Sequence, residues 1–447
     1  MWRMGARLMT LISRITAAFT AAITGPVDDR RDPQVWVIAI TLGFLALVLH
    51  RLAIPSKMMF DEIHYLPAAR RLIDLTRRLN PEHPLLAKEF LALSIRYVGD
   101  TPFGWRLPSA LLGTVGLYAA MRALWWASLS RSATLLFGLL LATNFIWFVL
   151  SRIAMLDMAM ASMMALGFWQ GTLAWRRGSR LHLVLCGVFL GLSLGAKWNG
   201  APLLALPGLL FAWDRWRALA GRHKAYLTAR DIGPIPGISL LEAALWLGVV
   251  PLATYLATFA PAFFYKVQPL TLGGLIPWQG YMLELQDSVK KPHLYMSRWW
   301  QWVFLVRPIW FFYEPWDGAQ RGVLMIGNPF TMLAGLPALL LCAWAGVRQG
   351  DRLRGGVAVL YCAALVFWAL NGKPVQFYYH YALASVFLMA ALALVLAGWW
   401  QQQRRWPGVL AAVLSAMLFI GFYPILSAGA LPKKDSYKDY TWVKSWR

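Results

Sequence analysis

Charged residues are scarce in this chain: they make up 14% of its 447 residues, whereas hydrophobic residues make up 59% and the mean hydropathy is +0.51. Because soluble domains carry about 25% charged residues, this composition argues against a soluble protein. Apolar stretches of about 17–25 residues recur, long enough to cross a hydrocarbon core about 30 Å thick. The sequence therefore predicts an all-α polytopic membrane protein and not a barrel, whose strands would be short and alternating.

Cysteine is rare, and the three cysteines present (Cys186, Cys342 and Cys362) all fall within apolar stretches. That placement argues against a disulfide framework and against a thiolate metal site. The sequence also lacks a Walker A motif, a Rossmann glycine fingerprint and an HExxH motif. We therefore expect no metal and no cofactor, and an activated substrate embedded in the membrane is favoured over a cytosolic nucleotide.

Acidic residues are also few, 20 against 43 lysines and arginines, which gives a formal net charge of +23. The basic residues cluster in short loops between apolar stretches, as the positive-inside rule expects, so they do not indicate a nucleic-acid partner. Their alternation predicts a cytoplasmic N-terminus, about eleven spans and an extracytoplasmic C-terminus. The predicted spans are 34–52, 105–126, 131–150, 154–175, 181–197, 200–214, 239–265, 323–347, 355–371, 380–400 and 407–428.

These spans organise the chain into three parts. Residues 1–33 favour an amphipathic helix on the inner leaflet over a signal peptide, because Arg14 interrupts the apolar run. Residues 34–428 form the transmembrane domain, and residues 429–447 form an extracytoplasmic tail. The domain has two long extracytoplasmic loops, 53–104 and 266–322, and short outer turns near 151–152, 197–199 and 371–375.

Two adjacent carboxylates, Asp61 and Glu62, follow the first span directly. Carboxylates are costly near hydrocarbon and seldom lie at a lipid boundary without a task. A pair at this position suits deprotonating a hydroxyl group or holding an acceptor. The alternative is an ordinary helix start, since acidic residues favour the first turn of a helix.

The same loop continues with Glu82, His83 and Lys88 around two prolines. A histidine and a lysine offered at the start of a short helix could hold a phosphate, and the alternative is a solvated loop. Arg152 and Lys197 lie on neighbouring outer turns, where two cations could together form a phosphate site.

Asp157 lies about a turn and a half deeper than the outer surface and should face the protein interior, because hydrocarbon disfavours a carboxylate. Its alternative role is to pair with a basic residue and fasten two helices. Further aromatic and polar residues converge on the same face of the membrane, where they could contact a sugar or form an interfacial belt. They are His293, Arg298 and Trp299 in the second loop, and Tyr379 and His380 at the start of the tenth span.

Seven segments in order resemble the protein O-mannosyltransferases, GT-C glycosyltransferases that use a polyprenyl- or dolichyl-phosphate-mannose donor. The segments are FDEIHY (60–65), EHPLLAK (82–88), GWRLPSALLG (104–113), SRIAMLD (151–157), GAKWNG (195–200), HLYMSRWWQW (293–302) and QFYYHY (376–381). The resemblance covers residues 35 to about 400. It departs from the family at Leu85, where the second proline of HPPxGK is expected, and at Ala87, where glycine is expected.

The resemblance implies roles for Asp61, Glu62, Arg152 and Lys197, and the placement of the other candidate residues suggests theirs. Asp61 would be the general base that accepts the proton of the attacking hydroxyl group. Acceptor binding would fall to Glu62, Glu82 and His83, and binding of the donor phosphate to Arg152, Lys197 and Lys88. Contacts with the sugar or lipid would fall to Asp157, His293, Arg298, Trp299, Tyr379 and His380.

The implied reaction is inverting transfer of mannose from polyprenyl-phosphate-mannose to serine or threonine hydroxyls outside the cytoplasm. The acceptors would be secreted or membrane proteins, which could be met during Sec translocation, and membrane lipids would be further partners. The second loop is too short for an inserted β-trefoil domain, which implies a bacterial-type enzyme in the plasma membrane. Three alternatives remain: a GT-C transferase of another sugar, such as a lipid A aminoarabinose transferase; a flippase for a polyprenyl-linked sugar; and a non-catalytic assembly factor.

Overall fold

The computed structural model describes residues 29–219 and 226–447. Most of the amphipathic segment predicted at 1–33 therefore lies outside the described residues. The described helices are Gln34–Leu49, Glu62–Ile73, Leu86–Val98, Pro102–Ser128, Arg131–Ala142, Phe145–Leu150, Leu156–Arg177, Arg180–Ala196, Ala201–Leu204, Leu206–Ala218, Leu240–Phe264, Leu275–Ser288, Trp299–Val303, Pro329–Gln349, Arg352–Leu370, Tyr378–Gln401 and Trp406–Leu426.

Six of these helices are long and apolar enough to cross a membrane, which confirms a multi-pass membrane protein. Each coincides with a predicted span. They are Pro102–Ser128, Leu240–Phe264, Pro329–Gln349, Arg352–Leu370, Tyr378–Gln401 and Trp406–Leu426. Two shorter apolar helices, Gln34–Leu49 and Arg180–Ala196, also coincide with predicted spans, and a third, Arg131–Ala142, covers the first part of the predicted span 131–150. The count of eleven spans stays a prediction.

The third predicted span, 131–150, is not continuous. One helix ends at Ala142, and Asn144 then caps a second helix, Phe145–Leu150, by accepting hydrogen bonds from the N–H groups of Ile146 and Trp147. An asparagine at this position favours a new helix start because its side chain replaces the missing carbonyl partners. All six residues of the second helix are buried, so the break occurs inside the protein core and not in lipid.

The second long loop corrects the all-α prediction, because it contains a β-hairpin. Strands Ile309–Trp316 and Ala319–Met325 pair antiparallel, and Trp316 lies opposite Ala319. The two turn residues, Asp317 and Gly318, have φ of 48° and 74°, as a two-residue hairpin turn requires. The predicted eighth span therefore starts six residues too early, since residue 323 lies in a strand and the helix begins at Pro329.

The two long loops, 53–104 and 266–322, contact each other at the hairpin. Lys57 Nζ lies 2.7 Å from Glu314 Oε1 at the hairpin, which ties the first loop to the second. The tail also docks on the hairpin, because Trp310 Nε1 donates to the carbonyl of Trp446 at 3.0 Å. A β-carbon at Gly113 would collide with the Ser151 side chain, so this glycine lets helix Pro102–Ser128 approach the turn that carries Arg152.

Candidate active site

Asp61 lies where the first outer loop enters helix Glu62–Ile73. The residue before it, Phe60, has φ of 44°, a left-handed conformation that is unfavourable for a bulky side chain. Packing holds Phe60 in place, since its ring contacts four aromatic rings. The centroid distances are 5.2 Å to Phe311, 5.6 Å to His293, 5.6 Å to Phe377 and 6.4 Å to Tyr379. The position of Asp61 is therefore fixed by residues from three separate parts of the chain.

The Asp61 carboxylate accepts a hydrogen bond from Tyr65 Oη at 3.3 Å. Burial raises the pKa of Asp61 above its ordinary value, and the positive charge of Lys197 opposes that rise. The negative charge of Asp157 acts in the same direction as burial. A carboxylate with a raised pKa is a stronger proton acceptor, which suits a general base.

Asp157 and Lys197 form a buried ion pair beside Asp61. Their Oδ2 and Nζ atoms are 2.6 Å apart, and their side chains are 0% and 4% exposed. The pair joins the start of helix Leu156–Arg177 to the end of helix Arg180–Ala196, as the fastening alternative predicted. However, Asp157 Oδ1 is buried without a hydrogen-bond partner among the described residues, so it can still accept one from a ligand.

Glu62 is fully buried, and donors surround its carboxylate. Arg106 donates to it from Nε at 2.9 Å and from Nη2 at 3.0 Å. The backbone N–H groups of Met59 and Ala154 donate to it at 2.8 Å and 2.9 Å. Since a carboxylate offers about four acceptor positions, Glu62 has none left for an acceptor substrate. Its surroundings do not fit the predicted acceptor-binding role and instead make Glu62 a residue that positions the loop.

Arg152 is also engaged by the protein. Its Nη1 atom donates to the carbonyls of Leu47, Val48 and His50 at 3.3, 2.6 and 2.8 Å, and its Nη2 atom donates to that of Arg51 at 3.2 Å. These carbonyls end the first helix, Gln34–Leu49, where cations are favoured. The geometry therefore does not fit the predicted phosphate site built from Arg152 and Lys197.

Lys88 likewise donates hydrogen bonds to backbone carbonyls, in the turn that precedes its helix. Its buried Nζ atom donates to the carbonyls of Asn80 at 2.7 Å and His83 at 2.8 Å. Burial lowers the pKa of Lys88 to about 7. Burial also lowers the pKa of His83 well below its usual value, and the charges of Lys197 and Lys88 add to this effect. The His83 ring is therefore neutral at pH 7, and its contact with the Tyr65 ring places it near Asp61.

The remaining predicted residues lie in several different environments. His293 and Tyr379 belong to the aromatic cluster around Phe60, and Lys197 Nζ lies 4.7 Å from the Tyr379 ring centroid. His380 is buried and its ring stacks on Trp368. By contrast, Arg298 and Trp299 are exposed at the start of a short helix, as the interfacial-belt alternative expects. Glu82 Oε1 accepts a hydrogen bond from the Asn80 amide.

Two residues near Asp61 were not singled out from the sequence. Arg106 is fully buried, and besides Glu62 it reaches three carbonyls of the first loop. It lies within the GWRLPSALLG segment, and a charged residue on a membrane helix could have been recognised from the sequence as a candidate site residue. Lys373 lies in the turn before helix Tyr378–Gln401, where burial and the charge of Lys197 lower its pKa and the negative charge of Asp61 opposes that shift. A single lysine in a short turn carries no motif that would have identified it.

The arrangement can accept a proton from a hydroxyl group. The proton acceptor, Asp61, lies between the aromatic rings around Phe60 and the buried Asp157–Lys197 pair. Aromatic rings and hydrogen-bonding groups together suit an uncharged ligand with several hydroxyl groups. Among residues 29–219 and 226–447, no group of three or more histidine, cysteine, aspartate or glutamate side chains is placed to hold a metal ion. The described residues do bring a protein cation to the site, namely Lys197.

Two family profiles match this chain. The family profile for dolichyl-phosphate-mannose-protein mannosyltransferase matches residues 97–265, and the profile for the C-terminal four-transmembrane region of protein-O-mannosyltransferase matches residues 271–446. A polyprenol-phosphate-mannose–protein mannosyltransferase of Corynebacterium glutamicum is 27% identical across an alignment that covers 94% of this chain and 94% of the relative. One from Mycobacterium tuberculosis is 25% identical across an alignment that covers 95% of this chain and 93% of the relative.

The fold is shared with a solved structure. The Saccharomyces cerevisiae protein O-mannosyltransferase Pmt1–Pmt2 complex, bound to its sugar donor, superposes with a TM-score of 0.77. The sequence identity is 14%, and the match covers 96% of this chain and 94% of the yeast chain. The match covers nearly the whole of both chains, so this chain has a GT-C fold.

Proposed function

This chain belongs to the protein O-mannosyltransferase family, and from that premise we propose that it transfers mannose from a polyprenyl-phosphate donor to hydroxyl groups of serine and threonine in acceptor proteins. The single observation that carries the proposal is the position of Asp61. Burial raises its pKa, the charges of Lys197 and Asp157 act on it, and the packed ring of Phe60 fixes the residue before it.

The reaction is one displacement at the anomeric carbon. The acceptor oxygen forms a bond to that carbon as the carbon–oxygen bond to phosphate breaks, and the polyprenyl phosphate leaves with the electron pair. Asp61 accepts the hydroxyl proton as the attack proceeds, a role generally worth about 10²–10⁴ in rate. A single displacement inverts the anomeric configuration. Alignment of the hydroxyl group with the anomeric carbon supplies much of the remaining acceleration.

The other residues support this step in different ways. Asp157 Oδ1, which lacks a partner among the described residues, suits a sugar hydroxyl. The rings of Phe60, Phe377 and Tyr379 suit the apolar face of a sugar. Glu62, Arg152 and Lys88 fix the backbone on either side of Asp61, and we assign them no contact with the donor.

We place the protein in a bacterial plasma membrane with the active site and the C-terminus on the extracytoplasmic face. The basic loops support this orientation through the positive-inside rule. Donor and acceptor would then meet outside the cytoplasm, where secreted proteins could be modified during Sec translocation. Lys197 lies beside Asp61 and can stabilise the departing phosphate, so we expect a metal-independent reaction. Loss of turnover in EDTA would contradict that expectation.

The test uses purified protein in detergent with radiolabelled polyprenyl-phosphate-mannose and a peptide rich in serine and threonine. Wild type should label the peptide, and Asp61→Asn should do so about 10²–10⁴ times more slowly. The matched control is Asp74→Asn, at the exposed end of the same helix, which should keep wild-type turnover. Equal rates for wild type and Asp61→Asn would remove Asp61 from catalysis. Labelling of a lipid acceptor in place of the peptide would reassign the protein to the lipid-modifying alternative.

A further inference from the structure

A cavity of about 330 Å³ lies between three of the membrane-spanning helices, at their ends away from Asp61. Tyr379, which contacts the Phe60 ring, begins helix Tyr378–Gln401, and the cavity borders the last two turns of this helix. The helix has 24 residues, so at about 1.5 Å per residue its two ends are about 36 Å apart. The cavity is therefore separate from the candidate active site. Its lining includes Leu341, Trp344, Arg354, Val395, Gly398 and Trp399.

The apolar part of the lining faces outward from the helices. Leu341, Trp344 and Trp399 are exposed, although they lie on helices that are long and apolar enough to span a membrane. Exposed apolar side chains on such helices contact lipid, and tryptophan is enriched where the hydrocarbon meets the headgroups. The cavity therefore opens toward lipid, at the depth of the headgroups.

Close packing of the three helices makes room for Arg354 at the cavity. A β-carbon at Gly346 would lie 2.5 Å from Gly355 Cα, so helices Pro329–Gln349 and Arg352–Leu370 approach backbone to backbone. A β-carbon at Gly398 would lie 2.9 Å from Arg354 Nη2, so glycine at this position leaves space for the guanidinium group. The cation thus lies against the third helix, inside a lining that is otherwise largely apolar.

The protein compensates the charge of Arg354 only in part. Among the residues that the structure describes, its guanidinium group makes one ion pair, from Nη1 to Asp351 Oδ2 at 3.5 Å, and no hydrogen bond. The other oxygen, Asp351 Oδ1, accepts the backbone N–H of Arg354 at 3.0 Å and caps helix Arg352–Leu370. A guanidinium group has five N–H donors, and its planar fork matches the oxygens of a phosphate. A charged side chain beside lipid with open donors is suited to an anionic ligand.

We propose that this cavity binds an anionic phospholipid, whose phosphate contacts Arg354 and whose acyl chain begins along Leu341 and Val395. The opposite charges of phosphate and guanidinium support the headgroup position. The exposed tryptophans on either side support a lipid as the occupant, because they place the cavity at the membrane surface. The inference does not depend on the proposed mannosyl transfer, since it concerns the other end of the helices.

The test measures lipid binding to the purified full chain in detergent by native mass spectrometry. The probe is dioleoylphosphatidylglycerol, and its dissociation constant is compared with that of dioleoylphosphatidylcholine, which has the same acyl chains but no net charge. Wild type should bind phosphatidylglycerol more tightly. Arg354→Gln should weaken that binding about 10-fold to 100-fold, as expected for the loss of a charge-assisted contact. Arg354→Lys, which keeps the charge without the planar fork, should bind with intermediate affinity.

Two further variants separate a built site from a generally basic surface. Arg348→Gln removes an exposed arginine from the last turn of helix Pro329–Gln349, outside the cavity lining, and should bind phosphatidylglycerol as wild type does. Gly398→Ala keeps every charge but places a methyl group against Arg354 Nη2, so it should weaken binding even if the glutamine variant is too unstable to measure.

Three results would overturn the inference. The first is equal affinity of wild type for phosphatidylglycerol and phosphatidylcholine, because an uncharged lipid would then suffice. The second is an equal loss of affinity in Arg348→Gln and Arg354→Gln, which would mark a non-specific basic surface. The third is displacement of the lipid by an equal concentration of inorganic phosphate, which would make the occupant a soluble anion.

Discussion

Substituting Glu62 by glutamine should destabilise the protein, because the Glu62 carboxylate holds the first outer loop together. Its Oε1 atom accepts from Arg106 Nε and the Ala154 N–H, and its Oε2 atom accepts from Arg106 Nη2 and the Met59 N–H. Glutamine keeps only one acceptor oxygen. Its amide nitrogen would face two donors, and Arg106 would remain as a buried charge without its partner.

The magnitude follows from the bonds lost. Two hydrogen bonds to a charged acceptor disappear, at 3.0 Å from Arg106 Nη2 and 2.8 Å from the Met59 N–H. Bonds to charged groups contribute about 1.5–3 kcal/mol each, and breaking a buried ion pair costs about 3–5 kcal/mol. We therefore expect the free energy of unfolding to fall by about 3–5 kcal/mol. Arg106→Gln should have a similar effect, and the double variant should lose less than the sum of the two.

The assay is an equilibrium unfolding titration with SDS in mixed micelles, followed through the fluorescence of the 25 tryptophans. The matched control is Glu284→Gln, an exposed glutamate of the second loop, which should unfold as wild type does. The reasoning is refuted if Glu62→Gln unfolds at the wild-type SDS concentration and instead raises the KM for the acceptor peptide. That result would restore the acceptor-binding role that the sequence suggested.

Three further predictions concern charge. Asp61 acts as a base only when it is deprotonated, so its raised pKa should place the acidic limb of the pH–rate profile above the ordinary aspartate pKa. Lys197→Gln should move that limb to higher pH, because the charge of Lys197 lowers the pKa of Asp61. Lys88 and Glu89, each with a pKa of about 7, should produce a minimum in unfolding free energy near pH 7. From pH 4.5 to 7 the stability falls because Glu89 keeps its proton in the folded state and loses it in the unfolded state. From pH 7 to 10.5 the stability rises because Lys88 keeps its proton in the unfolded state and loses it in the folded state. A flat profile in unfolding titrations across this range would contradict the reasoning. Arg152→Gln should lower the unfolding free energy by about 2–3 kcal/mol without changing the donor KM; a raised donor KM with wild-type stability would return Arg152 to the phosphate site.

The sequence was sufficient for the membrane class and for the placement of most helices. Apolar length is a direct physical requirement for crossing hydrocarbon, and the predicted span 380–400, for example, coincides with helix Tyr378–Gln401. It was not sufficient for the hairpin. The last three residues of strand Ala319–Met325, Val323, Leu324 and Met325, are apolar and buried, so they do not alternate between apolar and polar and resemble the start of a span.

The candidate site was predicted in part for a related reason. Sequence order placed Asp61, Asp157, Lys197 and Tyr379 on one face, and the structure brings them together. However, the sequence identifies a cationic side chain without showing which groups accept its hydrogen bonds. The carbonyls that engage Arg152 belong to residues about a hundred positions earlier, and no local pattern reports such a contact.

Several buried cations donate to backbone carbonyls close to Asp61, which explains why so many ionisable residues surround one base. Arg106 and Arg152 both donate to carbonyls between residues 47 and 57, directly before Asp61 in the chain. Lys88 does the same for the turn at Asn80 and His83, whose ring lies near Asp61. Reaction rates depend steeply on the alignment of the base, the hydroxyl group and the anomeric carbon. Charges that hold the backbone around Asp61 can therefore affect catalysis strongly without touching either substrate, and their loss should lower kcat more than it raises either KM.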